Sequence, residues 1–298
     1  MSNAPRLDGK VALVTGSSRG IGRAIAQRLA SAGATVVVTA RSVEKEVAGK
    51  RFQQDQVVSG TLAETISLIE KAGGKAIPLG ADLEKAEERD SLVERAIDAA
   101  GGLDILVNNA GFADYARVDQ MTVDTFERTF GHYLRAPFML AKAAIPHMKT
   151  KGAGWIVNIG SVTSMPVRRP FLEYQRRGGD VVYASMKAAL NRFSQGLAAE
   201  LVDSNIAVNL VGPSTAIRTP GASDLIPAGY KTEDVEYLAE CVLHMSYLPA
   251  VERTGFLAFS MHFPWAHNIQ VMSLDGRTPM PKREPPEFSH PAIPAAGI

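Results

Sequence analysis

The feature that most constrains the fold of this 298-residue chain is a regular alternation of short apolar runs with longer helical patterns. Runs rich in β-branched residues predict strands at 11–14, 35–38, 76–77, 103–107, 155–159 and 206–211. Between them, apolar residues at helical spacing predict helices at 21–32, 62–72, 86–100, 123–148 and 183–203. The spacing of Thr61 and Glu64 is that of a capping box, which predicts a helix start at this point.

Apolar strands separated by helices indicate a parallel sheet that is covered on both faces. Right-handed crossovers then predict a doubly wound α/β fold with three layers, α/β/α. We predict one such domain over residues 1–260 and a proline-rich C-terminal extension over 261–298. Six of the 17 prolines lie in the last twenty residues: Pro279, Pro281, Pro285, Pro286, Pro291 and Pro294. Because proline interrupts helices, we expect an extended arm that lies over its own or a neighbouring active site.

The composition excludes several classes of protein. With 46% apolar residues, 21% charged residues and a net charge of +1, the chain is typical of globular proteins rather than disordered ones. The near-neutral charge argues against a nucleic-acid or anionic-membrane partner. No run approaches the roughly 18 apolar residues of a membrane span, and no signal peptide is recognisable. The single cysteine, Cys241, cannot form an intramolecular disulfide, which favours a reducing compartment. We therefore expect a cytoplasmic protein.

A glycine-rich loop, Thr15-Gly-Ser-Ser-Arg-Gly-Ile-Gly22, joins the first predicted strand to the first helix. Glycines at this position allow a tight turn and a close approach of a pyrophosphate to the free N–H groups of the helix. Such a loop alone is weak evidence, but its place after the first strand favours a dinucleotide site of the Rossmann type. The predicted binding residues of this loop are Gly16, Ser18, Arg19, Gly20, Ile21 and Gly22.

The end of the second predicted strand bears on the choice between NAD(H) and NADP(H). An NAD site needs a carboxylate about 20 residues after the glycine loop, whereas this strand ends in Thr39-Ala40-Arg41. Guanidinium groups bind phosphate well, so Arg41 and Arg19 are expected to hold the 2′-phosphate of NADP(H). The alternative is that both are solvated surface arginines.

Further motifs appear in a characteristic order along the chain. They are Ala81-Asp82-Leu83, Asn108-Asn-Ala-Gly111, Ser161 after the fifth predicted strand, and Tyr183-Ala-Ser-Met-Lys187. With these motifs, the sequence resembles the classical short-chain dehydrogenase/reductase family from about residue 7 to residue 255. The resemblance implies that Asp82 and Leu83 contact the adenine of the cofactor. It also implies that Asn109, Ala110 and Gly111 line the cofactor cleft.

The same resemblance implies a catalytic set of Ser161, Tyr183 and Lys187. The residues themselves support these roles, because Tyr183 and Lys187 are four apart and share one helix face. A nearby ammonium favours the phenolate of Tyr183 and also reaches the nicotinamide ribose, so both residues are expected to contact the cofactor as well. Ser161 is expected to hold the reacting oxygen. Tyr174 is nearer to Ser161 in sequence, but Gly178 stands four residues later, where a lysine is needed. Tyr174 is therefore rejected as the acid and kept as a wall of the substrate pocket.

Two positions depart from the family pattern. Tyr133, preceded by His132, stands where family members carry an asparagine of a proton relay, so the relay is either rebuilt or impaired, or Tyr133 is a core aromatic. After the sixth strand the usual Pro-Gly is replaced by Pro213-Ser214; Pro213 and Thr215 are still expected to face the nicotinamide. Together with the insertion at 42–60 and Gly73-Gly-Lys-Ala-Ile77, these features resemble a hydroxysteroid-dehydrogenase-like branch.

Little in the sequence describes the substrate. Three segments are additions to the strand–helix pattern: 42–60, 165–180 and the tail from about residue 261. Two of them are expected to border the substrate cleft. Four arginines (Arg168, Arg169, Arg176 and Arg177) either meet an anionic substrate or lie in a solvated loop. His262 and His267 are rejected as a metal site, because no cysteine pair or carboxylate accompanies them. Met261, Phe263 and Trp265 are expected to cover an apolar cleft or a subunit contact.

The sequence therefore predicts an NADPH-dependent oxidoreductase that moves a hydride between nicotinamide and a carbonyl or secondary alcohol of a small molecule. A non-catalytic NADP(H)-binding sensor or scaffold on the same fold is the main alternative, and reduction of an activated C=C bond is a minor one. No metal is expected. By the family resemblance, the helices near 123–148 and 183–203 pair across subunits, so a homodimer or homotetramer is expected.

Overall fold

The computed structural model describes residues 5–51 and 54–297. Its strands are β1 (Val11–Thr15), β2 (Thr35–Ala40), β3 (Gly49–Arg51), β4 (Gln54–Gln56), β5 (Lys75–Gly80), β6 (Ile105–Asn108), β7 (Gly154–Ile159), β8 (Ile206–Gly212) and β9 (Leu257–Phe259). Its helices are α1 (Gly20–Ser31), α2 (Leu62–Lys71), α3 (Ala86–Asp90), α4 (Leu92–Ala100), α5 (Val123–Phe130), α6 (Ala136–Lys151), α7 (Glu173–Arg177), α8 (Val181–Leu201), α9 (Val235–His244) and α10 (His262–Ala266).

Seven strands form one sheet in the order β5-β2-β1-β6-β7-β8-β9, and every pairing within it is parallel. The predicted doubly wound α/β fold is therefore confirmed. The chain runs outward from β1 to β5 and then returns to β6 beside β1. In such sheets, ligands bind at the carboxyl ends of the strands where the direction of winding changes. This places the binding crevice between the ends of β1 and β6.

The two faces of the sheet carry separate apolar cores. Successive strand residues point to opposite faces, so Val14 and Val107 pack on one side, while Leu13 and Leu106 pack on the other. Helices α1, α2 and α9 cover the first side, and α4, α6 and α8 cover the second. The strands β1, β6, β7 and β8 are buried along their whole length, which explains their uninterrupted apolar sequences.

Two predicted helices are interrupted. The segment 86–100 forms α3 and α4, which meet at Ser91, where the hydroxyl donates to the carbonyl of Glu87 at 2.7 Å. The segment 123–148 contains a π-helical turn at Gly131–Arg135. Pro137 has no N–H to donate to the carbonyl of Tyr133, so a regular α-helical bond is impossible at this point. Helix α9 and strand β9 lie outside the predicted series of elements.

The tail packs along its own fold. Tyr237 donates a hydrogen bond to the carbonyl of Pro281, and Arg283 pairs with Asp234 at 3.0 Å. Near the end of the chain, Ile293 is buried in a cluster with Met165 and Phe259. The backbone N–H of Leu257 on the edge strand β9 donates to the carbonyl of Gly297 at 2.8 Å. The arm thus covers the β9 edge of the sheet.

None of the helices in the described ranges combines the length and apolar character that a bilayer crossing requires.

Candidate active site

A cleft of about 350 Å³ lies at the carboxyl ends of the central strands. It is lined by most of the residues that the sequence predicts for a cofactor and for catalysis. Those that line it are Gly16, Ser18, Arg19, Gly20, Ile21, Gly22, Arg41, Asp82, Leu83, Asn109, Ala110, Gly111, Tyr183, Lys187 and Pro213. Ser161 and Thr215 are not among the lining residues, and both are buried.

The glycine loop is built so that side chains are excluded. Gly16 has a positive φ of +66°, and a Cβ atom there would stand 2.8 Å from the Cα of Ala110. A Cβ atom on Gly22 would overlap the carbonyl oxygen of Gly16 and the side-chain amide of Asn109. The backbone thus approaches the loop after β6 as closely as atoms allow, and the first turn of α1 faces open space. Such a turn is suited to a pyrophosphate group.

Thr15 joins the loop after β1 to the loop after β6. Its hydroxyl oxygen accepts hydrogen bonds from the backbone N–H groups of Asn109 at 2.9 Å and Ala110 at 3.0 Å. The side-chain amide of Asn109 donates in return to the carbonyl of Thr15 at 2.8 Å. These bonds hold the two cleft-lining loops in one arrangement.

The insertion between β2 and α2 borders one end of this cleft. We call its described residues, 43–51 and 54–60, the strap; it contains the antiparallel pair β3 and β4. Five strap residues line the cleft: Val47, Gly49, Lys50, Gln56 and Val58. The sequence singles out none of these five residues, because the segment is polar, aperiodic and poor in residues that favour strands.

The strap changes the expectation for Arg19. Its guanidinium donates to the carbonyls of Val58 and Gly60, the latter at 3.3 Å, and to the Ser42 hydroxyl at 3.2 Å. Arg41 is exposed and lines the same end of the cleft. Arg41 is therefore better placed than Arg19 to meet an anionic group.

A charged cluster that the sequence did not indicate lies on the wall next to Leu83. Glu84 accepts hydrogen bonds from His132 at 3.1 Å and Arg128 at 3.2 Å, and these partners lower its pKa to about 2, with His132 the larger cause. Arg128 also donates to the strap carbonyl of Lys50 at 3.0 Å. The cluster ties the strap to α5.

Tyr183 and Lys187 lie one turn apart on α8 and both face the cleft. The Lys187 ammonium donates to the carbonyl of Ile159 at the end of β7 at 2.6 Å. Burial lowers the pKa of Lys187 to about 7. Burial raises the pKa of Tyr183, and a hydrogen bond with Ser161 acts in the opposite direction. The structure therefore brings the three predicted catalytic side chains together.

Ser161 follows β7 directly and is held by its neighbours. Its hydroxyl lies 2.9 Å from that of Thr163 and accepts from the Thr163 backbone N–H at 3.2 Å. Ser164 donates to the carbonyl of Ser161 at 2.6 Å, and Asn191 on α8 donates to Ser164 at 2.8 Å. The serine is thus tied to the helix that carries Tyr183.

The loop after β8 differs in part from expectation. Pro213 lines the cleft, but the backbone of Thr215 is turned toward Glu233, to which it donates at 3.4 Å. Thr219, Gly221 and Ala222 line the cleft instead. Ser214 lies 2.9 Å from Nδ1 of His262, and His267 lies 3.0 Å from the carbonyl of Ala296, so each histidine contacts the protein itself.

The segment 165–180 is largely exposed. Its four arginines are exposed; Arg177 pairs with Glu173 at 3.4 Å and Arg169 stacks over Phe171. Tyr174 is 56% exposed and does not line the cleft, so it is not a wall of this cavity.

Comparisons with known proteins agree with this geometry. The family model described as short chain dehydrogenase matches residues 10–227. Elsinochrome reductase 1 of Elsinoe fawcettii is 35% identical over 282 residues, which cover 91% of this chain and 95% of the relative. A 7alpha-hydroxysteroid dehydrogenase of Clostridium sardiniense is 36% identical over 70% of this chain and 71% of the relative.

Among solved structures, the 3-oxoacyl (acyl-carrier-protein) reductase of Agrobacterium tumefaciens, with NADP bound, has a TM-score of 0.70 at 28% identity. The match covers 85% of this chain and 93% of the chain in the solved structure. The ordered motifs, the parallel sheet and these matches lead to one conclusion: the chain belongs to the short-chain dehydrogenase family and is an NAD(P)-dependent oxidoreductase.

Proposed function

We propose that this protein is an NADPH-dependent reductase of ketones, or in the reverse direction a dehydrogenase of secondary alcohols. The observation that carries the proposal is the meeting of Tyr183, Lys187 and Ser161 at one end of a cleft whose other end holds the glycine loop and Arg41. One end offers proton transfer and the other offers binding to a dinucleotide.

The residues of the cleft fit a dinucleotide. The space that Gly16 and Gly22 leave open, and the free N–H groups at the start of α1, suit a pyrophosphate. Asp82 and Leu83 would contact the adenine, and Asn109, Ala110 and Gly111 would line the cofactor cleft. Pro213 would lie nearer the nicotinamide, whereas Thr215, which does not line the cleft, would not contact it. Arg41 would bind a 2′-phosphate, and no carboxylate stands at the end of β2 to bind a free 2′-hydroxyl. NADPH, when bound, supplies the hydride.

The chain's own groups supply the proton and stabilise the charge. Tyr183 donates the proton to the carbonyl oxygen during reduction and accepts it during oxidation. Burial raises the pKa of Tyr183. A charged Lys187, whose ammonium lies 5.8 Å from the centre of the Tyr183 ring, would act in the opposite direction by favouring the phenolate. Ser161 donates a hydrogen bond to the same oxygen as negative charge develops there.

Exposed apolar side chains on two segments that follow cleft-lining loops favour a hydrophobic, multi-ring substrate. Val167, Phe171 and Leu172 follow Ser161, and all are exposed. Tyr230 follows the loop after β8, and its ring lies 6.0 Å from that of Phe288 in the tail. Exposed apolar residues on adjacent segments are typical of a binding mouth. One relative is named for a hydroxysteroid, a fused-ring apolar compound, which agrees with this proposal and with the hydroxysteroid-dehydrogenase-like branch.

We also propose a homodimer or homotetramer. Helices α5, α6 and α8 expose large apolar side chains, among them Val123 at 77% and Phe138 at 48%. Such side chains on neighbouring helices are suited to a subunit contact. A monomeric mass by light scattering would contradict this part of the proposal.

The proposal is tested by measuring NADPH oxidation with a panel of fused-ring and small ketones. Tyr183→Phe should lower kcat about 100-fold or more, because general acid catalysis contributes at least that much. Tyr174→Phe is the matched control and should keep full activity. Tight NADPH binding without turnover on any carbonyl would instead support a non-catalytic sensor, and product analysis would reveal reduction of a C=C bond.

A further inference from the structure

Tyr133 contacts both Tyr183 and Lys187, the two side chains to which we assign the proton transfer. It is 5% exposed and belongs to the π-helical turn between α5 and α6. The Lys187 ammonium stands 4.2 Å from the centre of its ring, within the range of a cation–π contact. The ring of Tyr183 meets it edge-on, at 5.2 Å between centres and 90° between planes. One aromatic ring therefore contacts both members of the pair.

The ring of Tyr133 is fixed from two sides. On one side, Gly111 leaves the space that the ring fills, since a Cβ atom on Gly111 would stand 2.5 Å from Cε1 of Tyr133. On the other side, the Tyr133 hydroxyl donates to the carbonyl of Phe112. A ring held in this way keeps its face toward Lys187.

Among the residues that the structure describes, few groups stabilise the charge of Lys187. Its ammonium donates to the Ile159 carbonyl on β7, and burial is the cause that lowers its pKa to about 7. Around it stand Tyr183 on its own helix and Tyr133 from the π-helical turn. The carboxyl group of Asp180, at the start of α8, raises the pKa of Tyr183. Burial raises the pKa of Asp180 itself. The face of the Tyr133 ring is thus a principal electrostatic partner of the ammonium.

We propose that Tyr133 is a positioning residue of the reaction: the face of its ring keeps Lys187 charged, and its perpendicular contact with the ring of Tyr183 orients that ring. This inference rests on the proposed function. It assigns a role to the position at which the family pattern has an asparagine. The π electrons act on Lys187 directly, whereas the hydroxyl group only helps Gly111 to hold the ring in place.

The test varies the ring electrons while keeping the ring. Phenylalanine and phenylalanines with two and three fluorine atoms are introduced at position 133, and the pH profile of kcat/KM for ketone reduction is recorded. Tyr133→Phe should keep the basic limb within a few tenths of a pH unit of the wild type. Fluorine withdraws electrons from the ring face, so the Lys187 ammonium is stabilised less and loses its proton at lower pH. Because the reaction needs the charged lysine, the basic limb follows this loss and should move stepwise to lower pH, by roughly one unit for three fluorines.

A second readout is independent of turnover. The pKa of Lys187 is measured by NMR with isotopically labelled lysine and NADPH absent, and it should fall along the same series. Tyr133→Leu, which removes the ring, should show the largest fall if the protein folds; the fluorinated series retains the shape and does not depend on that variant. An unchanged Lys187 pKa and an unchanged basic limb across the series would overturn the inference. Failure of the wild-type protein to reduce any ketone would instead count against the proposed function.

Discussion

The Ser260 hydroxyl donates a 2.8 Å hydrogen bond to Oε2 of the buried Glu233. Ser260 also accepts from the backbone N–H of Ser214 at 2.9 Å, and the other oxygen of Glu233 accepts from Thr215 at 3.4 Å. A single carboxyl group thus joins the cleft loop after β8 to the segment after β9. Burial raises the pKa of this carboxyl to about 7, so it stays protonated in the folded protein over a range in which an unfolded chain has lost the proton.

This linkage predicts a pH-dependent stability. Between its usual pKa of 4.5 and the folded value of about 7, Glu233 binds more protons in the folded state. The free energy of unfolding should therefore fall as pH rises through this window, by up to about 3 kcal/mol, and then level off. Glu233→Gln cannot ionise and should lose this part of the fall. Urea unfolding at pH 5 and pH 8 measures it, with the exposed Glu252→Gln as control; an equal fall in Glu233→Gln would contradict the linkage.

Arg41 should decide the preference for NADPH. Because a charge-assisted hydrogen bond to a phosphate contributes about 1.5–3 kcal/mol, Arg41→Ala should weaken NADPH binding about tenfold to a hundredfold. NADH has no 2′-phosphate, so its affinity should barely change. Fluorescence titration of both cofactors measures this, and Arg176→Ala, an exposed arginine away from the cleft, serves as control. Equal affinities for NADPH and NADH in the native protein would rule the preference out.

The buried pair between α1 and α9 should be critical to stability. Arg28 donates to both carboxylate oxygens of Glu240 at 2.8 and 3.0 Å, and both side chains are almost fully buried. Arg28→Met leaves a buried carboxylate without its cation and should cost about 3–5 kcal/mol of unfolding free energy. Replacing Glu240 by methionine as well should restore much of the loss. Arg6→Ala, which removes the exposed pair with Asp8, should cost less than about 1 kcal/mol; similar losses in the two single variants would contradict the argument.

The tail should affect substrate binding and stability but not cofactor binding. None of its described residues from 279 onward lines the cleft, whereas Phe288 contacts Tyr230 and Ile293 is buried. Deletion of residues 279–298 should lower Tm and raise KM for bulky ketones, with the Kd for NADPH unchanged. Phe288→Ala tests the contact alone, and Glu287→Ala is its neighbouring control. If the deletion changed neither Tm nor KM, the tail would contribute neither to stability nor to substrate binding.

Much of this protein was predictable from local patterns in the sequence. The alternation of runs predicts the parallel sheet, because apolar periodicity reports which residues are buried on each element. The glycine loop, and Tyr183 four residues before Lys187, are local as well: their geometry depends on one turn and one helix. The structure places these residues on the lining of one cleft.

Tertiary structure alone decided the rest. The strap meets Arg19 across about forty residues of sequence, Tyr133 meets Lys187 across more than fifty, and Glu233 meets Ser260 across a 27-residue separation. Such contacts form only where loops from distant parts of the chain meet at the edge of the sheet. The spacing of residues within one segment therefore cannot predict them. The sequence by itself determined the fold and named the side chains that we propose for the reaction. Only the packing of distant segments decided which neighbours surround these side chains and that the strap borders the cleft.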